Sequence, residues 1–215
     1  MKLKIILGLV LVLSSGLFGH NCHAAIVYPK APDGGREIVA KYLDPQSLKF
    51  LKVSRIEDLI IAQPFAEYYV INLTNLSSRN FLAAAKPRGW LCLLTQGTNA
   101  VGELGLMPDK QSGKGLKFSY LKRTDSTNTT LEALRIAERL PQLKNQDYEL
   151  RRLDIAPILF AAIWLHRKSD DILIPLPPTF GRWNAYQTYS ESQMLTLLKP
   201  EVEKTLKAWE PFIRR

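Results

Sequence analysis

Three strand-like segments follow one another in the middle of the chain, and only short turns separate them. They comprise residues 90–95, 100–107 and 116–121, which are rich in apolar side chains. The intervening residues 96–99 and 108–115 contain Gly, Asn, Pro and Asp, the residue types that turns prefer. Parallel neighbours would need a crossover of about a dozen or more residues, usually a helix. The spacing therefore predicts an antiparallel meander.

Further strands are predicted on either side of this meander. Consecutive aromatic and β-branched side chains predict a strand at residues 67–73, and the patterns of residues 148–155 and 171–175 predict two more. For residues 55–63, the capping box of Ser54 and Glu57 predicts a short helix. A strand is the competing interpretation there, because two β-branched isoleucines stand side by side.

Helices are predicted around these strands. Asp33 is placed to cap a helix that ends at Pro45. Thr129 and Glu132 have the form of a capping box, so the apolar stripe that follows them predicts a second helix, which ends at Pro141.

The C-terminal third completes the predicted fold. Residues 157–165 are apolar throughout and far too few to span a bilayer, which takes about 20 residues, so they predict a buried helix. Ser190 and Gln193 predict the cap of a C-terminal helix, and Pro200 predicts the start of its second stretch. The whole pattern predicts an α+β fold, with helices packed on one face of a central, mostly antiparallel sheet.

The N-terminal residues 1–24 have the composition of a secretory signal peptide. Lys2 and Lys4 precede an apolar run that is too short for a membrane-spanning helix, and Ala24 provides the small residue before a cleavage site. We therefore expect residues 25–215 to form a single domain that is exported to the periplasm or secreted, with no membrane span after cleavage.

Composition and cysteine content exclude several classes of protein. With 46% hydrophobic and 23% charged residues, the chain is typical of globular proteins and not of disordered ones. Its two cysteines are too few for a small domain built on disulfides. One of them would leave with the signal peptide, and Cys92 lies in an apolar run that predicts a buried thiol.

Residues placed for catalysis are few. His166 would be the only histidine after cleavage, and Asp170 and Asp171 are close enough in sequence to orient its ring. The sequence contains no G-x-S-x-G elbow, Walker A loop or EF-hand loop. We expect His166 to end the apolar helix and to interact with its C-terminal carbonyl groups. No metal or cofactor is expected.

The segment 175–189 is the strongest candidate for a binding surface. Aromatic residues recur in it every three positions with an arginine between them, and the candidate residues are Phe180, Arg182, Trp183, Tyr186 and Tyr189. Such side chains give a large contact area and stack on flat groups. In the alternative interpretation, the rings pack this long connection onto the core.

A basic face is the second candidate surface. The chain carries 29 Lys and Arg against 20 Asp and Glu, a formal charge of +9. If the strands that carry them are neighbours, six basic residues would form one positive face: Lys114, Lys117, Lys122, Arg123, Arg151 and Arg152. The alternative is an ordinary solvated face of the sheet.

These observations lead to an expected function of an exported, non-enzymatic binding or interaction protein. Its partner is unidentified; the charge favours an anionic component of the envelope or another protein, whereas nucleic acid is not expected for an exported chain. The alternative is an exported hydrolase acting through Asp170, Asp171 or Asp154. Such an enzyme needs two carboxylates that face one cleft, with the pKa of at least one raised by burial.

Overall fold

A computed structural model describes residues 26–29, 35–77, 81–110, 115–123, 126–144 and 146–213. The predicted signal peptide, the predicted helix cap Asp33 and the basic residue Lys114 lie outside the described residues.

The described residues form strands and helices that we name in chain order. The strands are β1 (Ile26–Val27), β2 (Ile60–Ile61), β3 (Phe65–Tyr69), β4 (Lys86–Gln96), β5 (Asn99–Pro108), β6 (Leu116–Lys122), β7 (Tyr148–Ile155), β8 (Phe160–His166), β9 (Ile172–Pro175) and β10 (Tyr189–Ser190). The helices are α1 (Gly35–Tyr42), α2 (Pro45–Leu51), α3 (Ser126–Glu138) and α4 (Glu191–Ile213).

One large sheet contains these strands in the order β10-β9-β8-β7-β3-β4-β5-β6, with β1 added beside β7 and β2 beside β4. The predicted meander is confirmed, because β4, β5 and β6 are antiparallel neighbours. Most other pairs are antiparallel too, while β7 is parallel to β3 and to β1. The predicted α+β class, with a mostly antiparallel sheet and a C-terminal helix, is confirmed.

Helices cover both faces of the sheet, so the expectation of helices on one face is wrong. Successive residues of a strand point to opposite faces. Ile163 of β8 packs in a core with Ala133 of α3, whereas Trp164 packs in a core with Leu198 of α4. Helices pack on both faces because strands such as β8 carry apolar side chains on each face, and these side chains are buried only when both faces are covered.

The apolar run predicted as a helix at 157–165 forms a strand instead. A 3₁₀ turn at Ala156–Ile158 leads into β8, which pairs with β7 and β9. A short run that is apolar throughout fits a strand with two buried faces as well as a buried helix, and periodicity does not separate them. Position in the sheet decides, since β8 lies between two strands.

Proline and capping residues have the predicted roles at some helix ends and different roles at others. The box of Ser190 and Gln193 is confirmed, since each side chain bonds the other's backbone N–H, at 3.3 and 2.9 Å. Pro45 begins α2 with Asp44 as its cap, rather than only ending α1. Pro200 begins no new stretch, because α4 runs through it without a break. Thr129 lies inside α3, which begins three residues earlier.

The segment 55–63 and the thiol of Cys92 can also be compared with their predictions. At 55–63 the structure has a 3₁₀ turn at Ile56–Asp58 followed by the strand β2, so the competing strand interpretation is the better one at Ile60 and Ile61. Cys92 of β4 is fully buried, as predicted.

No helix in the part of the chain that the structure describes has the length and apolar character needed to cross a membrane.

Candidate functional site

A groove of about 530 Å³ opens on the face of the sheet that α4 covers. Its floor is formed by side chains of β3, β7 and β8, and its walls are the β8–β9 turn, the 3₁₀ turn at Leu82–Ala84 and the first turn of α4. Aromatic, charged and hydroxyl side chains line it, notably Tyr68, Arg151, Trp164, His166, Asp171 and Ser192.

A histidine–aspartate pair stands at one end of this groove. Nδ1 of His166 lies 2.8 Å from Oδ1 of Asp171, because the short β8–β9 turn returns the chain beside the end of β8. The same oxygen accepts hydrogen bonds from Trp164 Nε1 at 2.8 Å and from the Arg167 backbone N–H at 3.3 Å. In the neutral ring, this arrangement puts the proton on Nδ1 and the lone pair on Nε2.

This position corrects the expectation for His166, which ends a strand and not a helix. Its hydrogen bond goes to a side chain, so an interaction with helix carbonyl groups is not its role. The expectation that Asp171 is close enough to orient the ring is confirmed by the 2.8 Å contact. Asp170 instead accepts a hydrogen bond from the Tyr148 hydroxyl at 2.8 Å.

Arg151 forms the rigid part of the groove floor. Its Cζ lies 4.7 Å from the centre of the Tyr68 ring and 4.6 Å from that of Trp164, and the two rings meet edge to face at 5.3 Å. Its Nε and Nη2 donate to Glu149 at 2.7 and 3.0 Å. A guanidinium held by two rings and a carboxylate is fixed before any ligand arrives.

Glu191 joins two walls of the groove. Its Oε1 accepts a hydrogen bond from the Leu82 backbone N–H at 2.9 Å, which ties the start of α4 to the 3₁₀ turn. Burial, reinforced by the negative charge of Asp171, raises the pKa of its carboxyl. The groove lining as a whole combines three carboxyl groups, those of Asp170, Asp171 and Glu191, with two cations, Arg151 and Lys168.

The predicted binding segment 175–189 does not form one exposed surface. Trp183 and Tyr189 are buried in the core under α4, where the Trp183 ring meets Phe160 edge to face at 5.2 Å. Tyr186 is partly buried against the opposite core, under α3. The alternative interpretation therefore applies to these three rings, which pack the connection onto the core. Phe180 and Arg182 remain exposed.

The predicted basic face does not form among the described residues, because β3, β4 and β5 separate β6 from β7. Lys117 and Arg123 are exposed and Lys122 is partly buried, all on or next to β6 at the sheet edge. The arginines of β7, at 151 and 152, point to opposite faces, and each pairs with carboxylates.

A second polar constellation, which we call the ionic cluster, is buried on the face under α3. It consists of side chains from β3, β5, β6, β7 and α3: Glu67, Glu103, Tyr120, Thr130, Arg152 and Asp154. Arg152 Nη1 lies 3.3 Å from both carboxylate oxygens of Glu103, and Thr130 Oγ1 donates to Glu103 at 2.8 Å.

The carboxyl groups of Glu67 and Asp154 meet in this cluster. Burial raises the pKa of Glu67, and the negative charge of Asp154 raises it further, against the lowering effects of Arg152 and Arg88. The Tyr120 hydroxyl lies 3.4 Å from Glu67 Oε1. Burial raises the pKa of this hydroxyl above its ordinary value, so it stays a hydrogen-bond donor.

Sequence reasoning missed the ionic cluster, although a local signal for it exists. Glu67 and Glu103 each stand between apolar neighbours in strands and are 5% and 1% exposed. A charged residue at an inward position of a strand is rare unless it is paired. Gly105 is a further signal, because a Cβ there would lie 2.2 Å from the Tyr120 ring that reaches into the cluster.

No group of three or more His, Cys, Asp or Glu side chains is placed to hold a metal ion in the described parts of the chain. Comparisons with known protein families, with curated proteins and with solved structures each find no match for this chain.

Proposed function

We propose that the protein is an exported, non-enzymatic binding protein whose ligand occupies the groove beside α4. The observation that carries this proposal is the immobilised Arg151, which two aromatic rings and Glu149 hold in place on the groove floor. A binding site whose side chains are already ordered avoids the entropy cost of fixing them when the ligand binds. The signal-peptide composition of residues 1–24 supports the exported location.

The lining of the groove favours a neutral, hydroxyl-rich ligand such as a saccharide. Hydrogen-bond acceptors are supplied by the carboxylates of Asp170 and Asp171 and by Nε2 of His166, while Ser169 and Ser192 add hydroxyl groups. Sugar hydroxyls can donate to the carboxylates and accept from the serines. An anionic envelope component, the partner that the net charge favours, would meet three carboxyl groups here as well as Arg151 and Lys168, so we expect it to bind less tightly than a neutral sugar.

A groove-filling substitution tests this proposal. Ala83 is exposed and lines the groove, so Ala83→Trp fills the space without removing a hydrogen bond of the site. Ala208→Trp adds the same ring at an exposed position of α4 and serves as the matched control. Glucose, N-acetylglucosamine, their disaccharides and glucuronate are titrated by calorimetry.

We expect binding of at least one neutral sugar to the wild type and to Ala208→Trp, and a loss of at least tenfold in Ala83→Trp. Equal affinity of all three proteins would contradict the assignment of the groove. Tighter binding of glucuronate than of the neutral sugars would contradict the proposed ligand chemistry.

A second candidate function is hydrolysis, and the His166–Asp171 contact of 2.8 Å favours it. His166 Nε2 would take a proton from water, the water oxygen would attack an ester carbonyl, and the proton would pass to the alcohol that leaves. Asp154 takes no part, because it lies in the ionic cluster on the other face. Hydrolysis of p-nitrophenyl acetate that His166→Asn reduces at least tenfold would favour this function, and equal rates would exclude it for this ester.

A further inference from the structure

The strand directions bring several loops together at one end of the sheet, which we call the rim. β3, β5, β7 and β9 all run toward the rim, and β4, β6 and β8 run away from it, because β3 is parallel to β7 and the other neighbours are antiparallel. The chain therefore leaves β3, β7 and β9 at the same end. The His166–Asp171 pair lies at the opposite end, where β8 ends and β9 begins.

Each of these three strands is followed by a large apolar side chain that is exposed. Ile71 after β3 is 69% exposed, Leu159 after β7 is 64% exposed, and Phe180 after β9 is 61% exposed. In the part of the chain that the structure describes, no other large apolar side chain is more than 49% exposed. The three most exposed apolar side chains of the described fold thus belong to one end of the sheet.

Contacts on both sides of Phe180 keep it at the rim. Before it, the Leu176 backbone N–H donates to the Ala161 carbonyl at 2.8 Å. After it, the Trp183 ring packs against Phe160, the first residue of β8. Because both contacts are made where β8 begins, the few residues between them stay near that end of the sheet.

The backbone of Leu159 adopts a conformation that leucine disfavours. Its φ of 52° and ψ of 38° are left-handed, a region that Gly and Asn enter more readily than other residues. The exposed side chain gains little from packing, and its contact with water is unfavourable as well. An asparagine would suit both the backbone and the solvent. Stability of the free protein therefore does not account for a leucine here, whereas contact with a partner would.

Basic side chains accompany the apolar ones at the rim. Those that are exposed among the described residues are Lys86 and Arg88 near the start of β4, Lys110 after β5, Lys117 near the start of β6 and Arg182 after β9. The carboxyl groups at this end are fewer and less exposed: Asp109 and Asp154 are partly buried, and Glu67, which pairs with Arg88, is buried. Positive charge is therefore in excess at the rim.

The later turns of α4 do not reverse this excess. They pack against the 3₁₀ turn at Leu73–Ser77, which follows β3. Their charged side chains are of both signs: Lys199, Lys204 and Lys207 against Glu201 and Glu203.

This combination favours a lipid surface over a protein partner. The buried core of a protein interface is depleted in charged residues, whereas lysines and arginines occur among the apolar side chains of the rim. A bilayer interface accepts both kinds at once, because apolar side chains insert at the level of the headgroups while basic ones are attracted to anionic lipids.

We infer that the rim docks onto the surface of an anionic phospholipid bilayer, with Ile71, Leu159 and Phe180 inserted among the headgroups. The basic side chains of the rim bind the lipid phosphates. Attachment is peripheral and needs no membrane-spanning segment. The His166–Asp171 end of the groove then points away from the bilayer, so docking does not depend on which ligand the groove takes.

Co-sedimentation of the purified protein with vesicles tests the apolar part of the inference. The vesicles contain phosphatidylcholine alone, or equal parts of phosphatidylcholine and phosphatidylglycerol. Leu159→Asn removes an apolar side chain in a conformation that asparagine tolerates. Phe50→Asn is the matched control, since Phe50 is 49% exposed on α2, where the adjacent Leu51 lies beside Gly102 near the other end of the sheet.

We expect the wild type and Phe50→Asn to bind the anionic vesicles, and Leu159→Asn to bind at least about tenfold more weakly. Urea unfolding should show Leu159→Asn to be no less stable than the wild type, so that the loss reflects docking and not unfolding. Equal binding of Leu159→Asn and the wild type, or no binding of the wild type to either vesicle, would overturn the inference. Self-association of the wild type that Leu159→Asn abolishes, without vesicle binding, would overturn it in favour of a second copy of the chain.

A pair of charge reversals tests the basic part independently. Lys110→Glu combined with Lys117→Glu changes the rim, while Arg123→Glu combined with Lys144→Glu changes the net charge equally at exposed positions near the other end of the sheet. We expect the rim variant to lose at least about tenfold in binding to the anionic vesicles and the control to lose much less. Equal losses in the two variants would show that net charge alone drives binding and would overturn the assignment of the rim.

Discussion

Replacement of Arg152 by methionine isolates the electrostatic role of the ionic cluster. The substitution roughly conserves the length of the side chain but removes both ion pairs of the guanidinium, to Glu103 and to Asp154. Glu103 is 1% exposed and would keep only the hydroxyl of Thr130 as a partner among these contacts. Breaking a buried ion pair on one side typically costs about 3–5 kcal/mol. We expect a loss of about this size in the free energy of unfolding.

The neighbouring residue provides a matched control. Arg151 lies on the same strand but faces the groove, and its ion pair with Glu149 is partly exposed. Arg151→Met loses a cation–π contact and a partly exposed pair, so we expect a loss of no more than about 2 kcal/mol. Urea unfolding at neutral pH, followed by far-UV circular dichroism, measures both variants.

A double variant separates the unpaired charge from lost packing. Replacing both partners of a buried pair by apolar residues leaves no uncompensated charge. Glu103→Leu combined with Arg152→Met should therefore recover at least half of the stability lost in Arg152→Met. If Arg152→Met loses less than about 1 kcal/mol, or if the double variant loses the sum of the two single losses, the electrostatic reasoning is refuted.

Three further predictions concern other parts of the fold. Gly105→Ala forces its Cβ toward the Tyr120 ring and should lower the free energy of unfolding by about 1–3 kcal/mol, as urea unfolding would measure. Trp183→Ala removes a ring that is 3% exposed and should cost about 3–5 kcal/mol, while Phe180→Ala, at 61% exposure, should change stability by less than about 0.5 kcal/mol. Similar losses in the last two variants would contradict the placement of this segment. ¹⁵N NMR of His166 should show the neutral ring protonated at Nδ1, and the opposite tautomer would contradict its contact with the aspartate.

The elements that sequence predicts best are those set by local patterns. The strands from 86 to 122 are joined by short turns, so their order and antiparallel pairing follow from the spacing alone. The cap of α4 is likewise local, because it is formed by the side chains of Ser190 and Gln193, which are three residues apart. By contrast, β8 has no periodicity of its own, and only its position between two other strands makes it a strand.

The candidate sites depend on contacts between residues far apart in the chain. The pair of His166 and Asp171 is five residues apart, so the sequence suggested it. Tyr68 and Glu191 line the same groove although they are more than 100 residues apart in the chain. The sequence around neither residue indicates that the two are close in space. The ionic cluster likewise depends on the parallel register of β3 and β7, which joins Glu67 to a strand about 85 residues away.

The indole N–H of Trp164 provides the most direct test of the proposed groove. This group donates to Asp171 at 2.8 Å and lies in the groove lining, so a ligand that contacts the aspartate must perturb it. In ¹⁵N spectra, Trp164→Phe assigns its resonance among the four tryptophans. On titration with a neutral saccharide, we predict a saturable shift of the Trp164 resonance that is absent in Ala83→Trp. A saccharide that binds and shifts other tryptophans while leaving Trp164 unchanged would contradict the account.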